Sequence, residues 1–148
     1  MEKIRNYVQL TEKFGTGGQP SAEQFPIIAE NGYRHVINLG MPDHADSLSN
    51  EGELVSALGM NYIHIPVPFD MPTREHVRLF CKILYQVEKD KVFIHCIMNY
   101  RVSAFMYHYL SKIDNRDEAS SRSSIFEIWK MEPAWAELMS WSITDIGL

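Results

Sequence analysis

The sequence predicts an α/β domain, with a mainly parallel central sheet flanked by helices. Three observations lead there. Short runs rich in β-branched residues, Val36-Ile37-Asn38-Leu39, Tyr62-Ile63-His64-Ile65-Pro66-Val67 and Val92-Phe93-Ile94, alternate with segments of helical periodicity. The runs are nearly apolar throughout, as strands are when both faces of a sheet are covered. The chain of 148 residues, 45% hydrophobic and 22% charged, suits a single domain with a real core, and it contains no repeat or linker-like tract.

Taken in order, the first helix is signalled by Ser21-Ala22-Glu23-Gln24, read as a capping box in which the serine hydroxyl caps and Gln24 reaches back. Phe25, Ile28 and Ala29 then share one face, and Asn31-Gly32 stops the helix. Val36 to Leu39 is a buried strand closed by Gly40-Met41-Pro42-Asp43. Glu51 to Leu58 is a helix with Gly59 just past its end. The next strand, Tyr62 to Val67, is ended by Pro66 and Pro68. Thr73 caps a helix whose Val77, Phe80, Cys81, Leu84 and Val87 recur at helical spacing. Asp90-Lys91 turns the chain into Val92-Phe93-Ile94. Arg101 to Ile113 is an aromatic-rich helix, Asp114 to Ser124 reads as a flexible connection, and Ile125 to Lys130 and Ala134 to Ser142 are helices separated at Pro133.

Charge narrows the function classes. With 14 basic and 19 acidic residues the net charge is -5, so nothing favours a nucleic acid backbone or an anionic membrane surface, and any anion site must be local. Basic residues near Met1 are followed by no apolar run, and no stretch is long enough to span a bilayer, so a cytoplasmic location is expected. Two cysteines, Cys81 and Cys96, make a poor disulfide framework and are expected as thiols. Cys81, on the apolar face of a helix, reads as core.

Ligands of parallel sheets gather at the carboxyl ends of the strands, and His95-Cys96 lie at that edge. A strand running through a short loop into a helix aims backbone amides at one point, and the helix dipole reinforces them. A cysteine opening such a loop is favoured as thiolate. The loop then comprises Ile97, Met98, Asn99 and Tyr100 as phosphate-binding backbone, Asn99 suiting a left-handed conformation. Arg101 forms a bidentate anion clamp and Ser103 donates to the thiolate. A cysteine at a strand end is, on its own, commonly inert core, and a lone His95 commonly structural. The complete set points to chemistry.

These residues resemble the signature of cysteine-dependent protein tyrosine and dual-specificity phosphatases, whose loop begins His-Cys and ends Arg-Ser or Arg-Thr. Those enzymes place five residues between cysteine and arginine, whereas Cys96 and Arg101 enclose four. The shorter spacing resembles rhodaneses and also the bacterial phosphatase-like family of beta-lactamase-hydrolase-like domains. That family is further resembled in Gly17-Gly18-Gln19-Pro20-Ser21, Val36-Ile37-Asn38-Leu39 and His64-Ile65-Pro66-Val67, over about residues 7 to 113. The resemblance implies a tyrosine-phosphatase-like fold and hydrolysis of phosphomonoesters through a cysteinyl-phosphate intermediate. Cys96 is then the nucleophile, Arg101 the clamp and an upstream Asp the general acid.

Asp70, in Val67-Pro68-Phe69-Asp70-Met71-Pro72, is the candidate acid, equally readable as a solvated loop carboxylate; Asp43 and His44 are reserves. Gln19 either positions water or serves as a turn residue. No cofactor is expected, and His64, His76, His95 and His108 show no metal-ligand spacing. The expected partner is a phosphorylated substrate or small oxyanion. A rhodanese-like sulfurtransferase and a non-catalytic oxyanion- or protein-binding module remain alternatives. Phe126, Trp129, Met131, Trp135, Met139 and Trp141 are expected to pack late helices on the sheet, a dimer patch being the other reading, with oligomeric state open.

Overall fold

A computed structural model describes residues 1–148. The elements are β1 (Val8–Gln9), β2 (Phe14–Gly17), α1 (Phe25–Glu30), β3 (Tyr33–Asn38), α2 (Glu51–Ala57), β4 (Asn61–His64), α3 (Arg74–Val87), β5 (Lys91–His95) and α4 (Tyr100–His108). A π-helical turn at Tyr109–Ile113 continues α4, 3-10 turns follow at Ala119–Ser121 and Ser124–Glu127, and α5 (Pro133–Met139) and α6 (Ile143–Ile146) end the chain.

The strands form one sheet in the order β1-β2-β5-β3-β4. β2, β5, β3 and β4 are parallel, and β1 adds an antiparallel edge. Adjacent side chains on a strand face opposite ways, which explains why apolar runs rather than alternation were the signal. Ile37 and Ile94 enter a core with Phe80, Phe105 and Trp135 beneath α3, α4 and α5, while Val36 and Phe93 face Phe25, Ile28 and Val55 from α1 and α2. Register brings the strand ends together, with His95 opposite both Gly17 and Asn38, and Asn38 opposite His64. Everything that follows β2, β3, β4 and β5 therefore leaves the sheet along one edge.

Several expectations need correction. The β1–β2 hairpin has no clear mark in the sequence, because Gly15 and Gly17 weaken the strand signal of Phe14–Gly17. The glycines answer a packing demand: a Cβ at Gly15 would collide with the Tyr33 hydroxyl. At Ser21 only half the capping box forms. Gln24 Oε1 accepts from the Ser21 amide at 2.9 Å, but the helix starts at Phe25 with Gln24 as an N-cap lacking a side-chain bond. The strand expected to reach Val67 is assigned only to His64, although the amides of Ile65 and Val67 still bond Asn38 and Leu39 carbonyls. Pro66, between them, has no amide to donate.

The expected flexible run at 114–124 is instead folded onto the body, with Ser121 and Ser123 buried. The helix expected over Ile125 to Lys130 shrinks to the 3-10 turn Ser124–Glu127, and Pro133 opens α5 rather than merely separating helices. Thr73 caps α3 as read, accepting from the His76 amide while His76 Nδ1 takes the Thr73 amide. No helix is long and apolar enough to cross a membrane.

Candidate active site

β5 delivers Cys96 to the carboxyl edge of the sheet, and the Cys96 amide is still tied to Gly17 O at 3.3 Å. Beyond it the peptide groups turn over. The Ile97 carbonyl accepts from the Gln19 amide at 3.1 Å, and the Met98 carbonyl from Asn6 Nδ2 at 2.9 Å. In a trans peptide the N–H opposes the C=O, so outward carbonyls at Ile97 and Met98 send the amides of Met98 and Asn99 inward. No backbone carbonyl accepts from the amides of Ile97, Met98, Asn99, Tyr100, Arg101 or Val102. Such a row of free donors ahead of a helix is an anion nest.

Asn99 makes the turn possible. Its φ of 68° is left-handed, and its Nδ2 donates to Asn6 O at 2.8 Å and to Thr16 Oγ1 at 3.1 Å. Asn6 is itself left-handed, at φ 51°. The two asparagines thus form a reciprocal clasp, each donating its side-chain amide to the other segment's backbone. Gly18 completes the collar, since a Cβ there would run into the Ile97 carbonyl oxygen.

Arg101, on the first turn of α4, is 5% exposed. Its Nη1 donates to Val67 O at 2.9 Å and its guanidinium carbon lies 5.4 Å from the Phe69 ring centre, which fixes the plane of the group. Its Nε is buried and donates to no protein atom. Leaving a buried charged donor unpaired is costly, so the arrangement favours a bound anion. Ser103 does not reach toward the cysteine: its hydroxyl donates to Asn99 O at 2.7 Å, behind the loop.

Cys96, Ile97, Met98, Tyr100 and Arg101 line one cavity of about 660 Å³ with Met41, Asp43, His44, Phe69 and Glu132 among the others. Asp70 is exposed on the adjoining turn and does not line it, whereas the reserves Asp43 and His44 do. Gln19 also stands outside the lining; its side chain serves another partner.

That partner is Glu51, whose role sequence reasoning missed. Glu51 is 2% exposed, accepts from Gln19 Nε2 at 2.8 Å and lies 2.6 Å from His95 Nε2, on a fully buried ring. Burial acts to raise the Glu51 pKa, but His95 through charge and hydrogen bond, then Gln19 and His64, outweigh it and hold the carboxyl below its usual value. His95 Nδ1 lies 3.1 Å from the Cys96 carbonyl. Both ring nitrogens thus face acceptors. The pair orients the first peptide of the loop from below. The one sequence hint was an acidic residue opening α2.

Cys81 behaves as core: burial pushes its thiol up to about 12. His108 is buried against the Leu138 carbonyl, and burial brings its pKa down to about 4. No group of His, Cys, Asp and Glu side chains is gathered to hold a metal ion.

A parallel sheet with β5 inside it, a nest of amides, a cysteine and a buried arginine facing one cavity define the phosphatase-like class built on the tyrosine- and dual-specificity-phosphatase fold. The family model described as DSP-PTPase phosphatase fused to NAD+ kinase matches residues 3–134, and the chain belongs to that family. The chain is 30% identical over 110 residues to the beta-lactamase hydrolase-like protein of Xylella fastidiosa Temecula1, covering 72% of this chain and 25% of that protein. The chain therefore spans about a quarter of the length of that relative. Among solved structures, a DUF442 protein from Shewanella putrefaciens CN-32 superposes with a TM-score of 0.84 at 31% identity, covering 99% of this chain and 93% of the other. The P. aeruginosa protein TpbA, solved as a cysteine-to-serine variant with phosphotyrosine, shares the fold at a TM-score of 0.64 and 14% identity, covering 78% of this chain and 68% of its own.

Proposed function

We propose that this chain hydrolyses phosphomonoesters through a cysteinyl-phosphate intermediate, with phosphotyrosine and other aryl phosphates within its range. The observation carrying this reading is the convergence on one cavity of Cys96, the outward-carbonyl loop with its free amides and Arg101, whose buried Nε has no protein partner. In the first step Cys96 Sγ, as thiolate, attacks phosphorus, the P–O bond to the alcohol or phenol breaks, and a carboxylic acid protonates the departing oxygen. Loop amides and Arg101 hold the three equatorial oxygens as charge builds on them. In the second step water attacks phosphorus, the same carboxylate takes its proton, and Cys96 leaves as thiolate with release of phosphate.

Asp43 is our choice for the acid, because it faces the cavity, and Asp70 the competitor. The one-residue contraction between Cys96 and Arg101 is compatible with a convergent cradle because Asn99, in the left-handed region, reverses the chain in a single step. The size and apolar character of the cavity favour an ester with a bulky leaving group over thiosulfate. The test is steady-state hydrolysis of an aryl phosphate by wild type, Cys96→Ser, Asp43→Asn and Asp70→Asn. We expect no turnover from Cys96→Ser, and a fall in kcat of about 10²-fold or more from Asp43→Asn with loss of the basic limb of the pH profile. A fall confined to Asp70→Asn moves the acid to Asp70. Cys96-independent hydrolysis rejects the mechanism.

A further inference from the structure

Resting on that reading, we propose that the cavity selects esters with one phosphoryl group on an uncharged aromatic leaving group, and that Glu132 is the residue that turns away further negative charge. The walls supply the first half. Tyr100 lies parallel on Trp129, with centroids 5.0 Å apart and planes 6° apart, and Phe69 packs on Trp129 and Trp135 at 6.3 and 5.4 Å. Phe69 and Tyr100 are thus held rigidly, and a planar ring attached to a phosphoryl group on Cys96 meets fixed aromatic and methionine surfaces rather than water.

The charges supply the second half. Arg101 is the one lysine or arginine lining the cavity, and its Nη1 is held by the Val67 carbonyl, while Asp43 and Glu132 contribute carboxylates. Glu132 is exposed, yet its carboxylate is pinned: Trp129 Nε1 donates to Oε1 at 3.0 Å. An anion bound in the nest has its donors. A second phosphate or a carboxylate carried on the leaving group finds no lysine or arginine beyond Arg101 and only His44 as a further basic side chain, and it meets a fixed negative charge at Glu132. The excess of acidic residues over the whole chain offers no compensation. Repulsion across a solvated rim is modest per charge and screened by salt.

The test compares 4-(carbamoylmethyl)phenyl phosphate with 4-(carboxymethyl)phenyl phosphate, which share the phenol leaving group and differ by one negative charge. For the wild type at low ionic strength kcat/KM is expected to favour the amide by about threefold to tenfold, shrinking as salt is added. In Glu132→Gln, which keeps an oxygen for Trp129, the ratio should approach one, and in Glu132→Lys it should invert. 2-Naphthyl phosphate should show a lower KM than phenyl phosphate. Equal or better use of the carboxylate ester by wild type, a ratio unchanged in both variants, or a higher KM for the naphthyl ester overturns this inference while leaving the phosphatase reading intact. Turnover of neither ester overturns the phosphatase reading, and this one with it.

Discussion

Each catalytic candidate depends on what a few atoms around it are doing. Arg101 works as a plane held by Val67 and Phe69, and a lysine offers neither the fork nor the fixed orientation. Arg101→Lys should lower kcat/KM for an aryl phosphate by about 10²-fold or more, with most of the loss in kcat, since the missing bond is strongest in the transition state. Steady-state kinetics on a variant of wild-type Tm would show it. Glu51 makes a different, pH-dependent contribution. Its folded pKa is lowered, so the stability it provides is present above the unfolded value near 4.5 and is lost as pH falls through the folded one. Thermal melts from pH 7 downward should show a steeper acid-side decline in wild type than in Glu51→Gln, whose Tm should be lower at neutral pH and nearly level with wild type in acid. Parallel curves would remove Glu51 from the account.

Among the elements, the N-terminal segment ahead of β1 and the loop after β5 form one unit. Asn6→Ala removes the donor to the Met98 carbonyl and should cost about 1–2 kcal/mol, read by denaturant unfolding. Its effect on kcat should exceed its effect on KM, because the loop amides lose their aim rather than the cavity its walls. Asn99→Gly keeps the left-handed turn but loses both Nδ2 bonds, so it should destabilise less than Asn99→Val, which must also enter the left-handed region with a branched side chain. This level also marks where sequence reading succeeds and stops. The placement of Cys96, Asn99 and Arg101 on one loop is legible because its geometry is local: strand, turn and first helical turn lie within a few residues. Glu51 and Asn6 were not, because their partners are 44 and 93 residues away. Sequence ranks Asp70 ahead of Asp43, whereas the cavity is lined by Asp43 and not Asp70, because the order depends on which loop folds over the cavity.

For the molecule as a whole, the aromatic tail is a buttress of the site as well as a cover for the sheet. Trp135 is fully buried beneath α4, and its Nε1 donates to the Phe69 carbonyl at 2.7 Å. Trp135→Ala should cost about 3–5 kcal/mol and shift a cooperative melt strongly downward. Trp135→Phe should lose less stability yet still impair turnover, because the turn carrying Phe69 loses its anchor. The expectation that these aromatics pack the last helices onto the sheet agrees with the core they form. The parallel sheet itself was readable because both its faces are covered, which leaves a plain apolar signature; the glycine-bearing edge hairpin carried no such mark. A further consequence concerns the order in which the molecule is made. The clasp between Asn6 and Asn99 joins two segments 93 residues apart, so a nascent chain has every residue of β2, β3 and β4 before it has a cradle. Long-range closure of this kind comes late and slowly in folding. Recovery of oxyanion binding during refolding should therefore trail the return of helical signal, making the site a reporter of completed assembly.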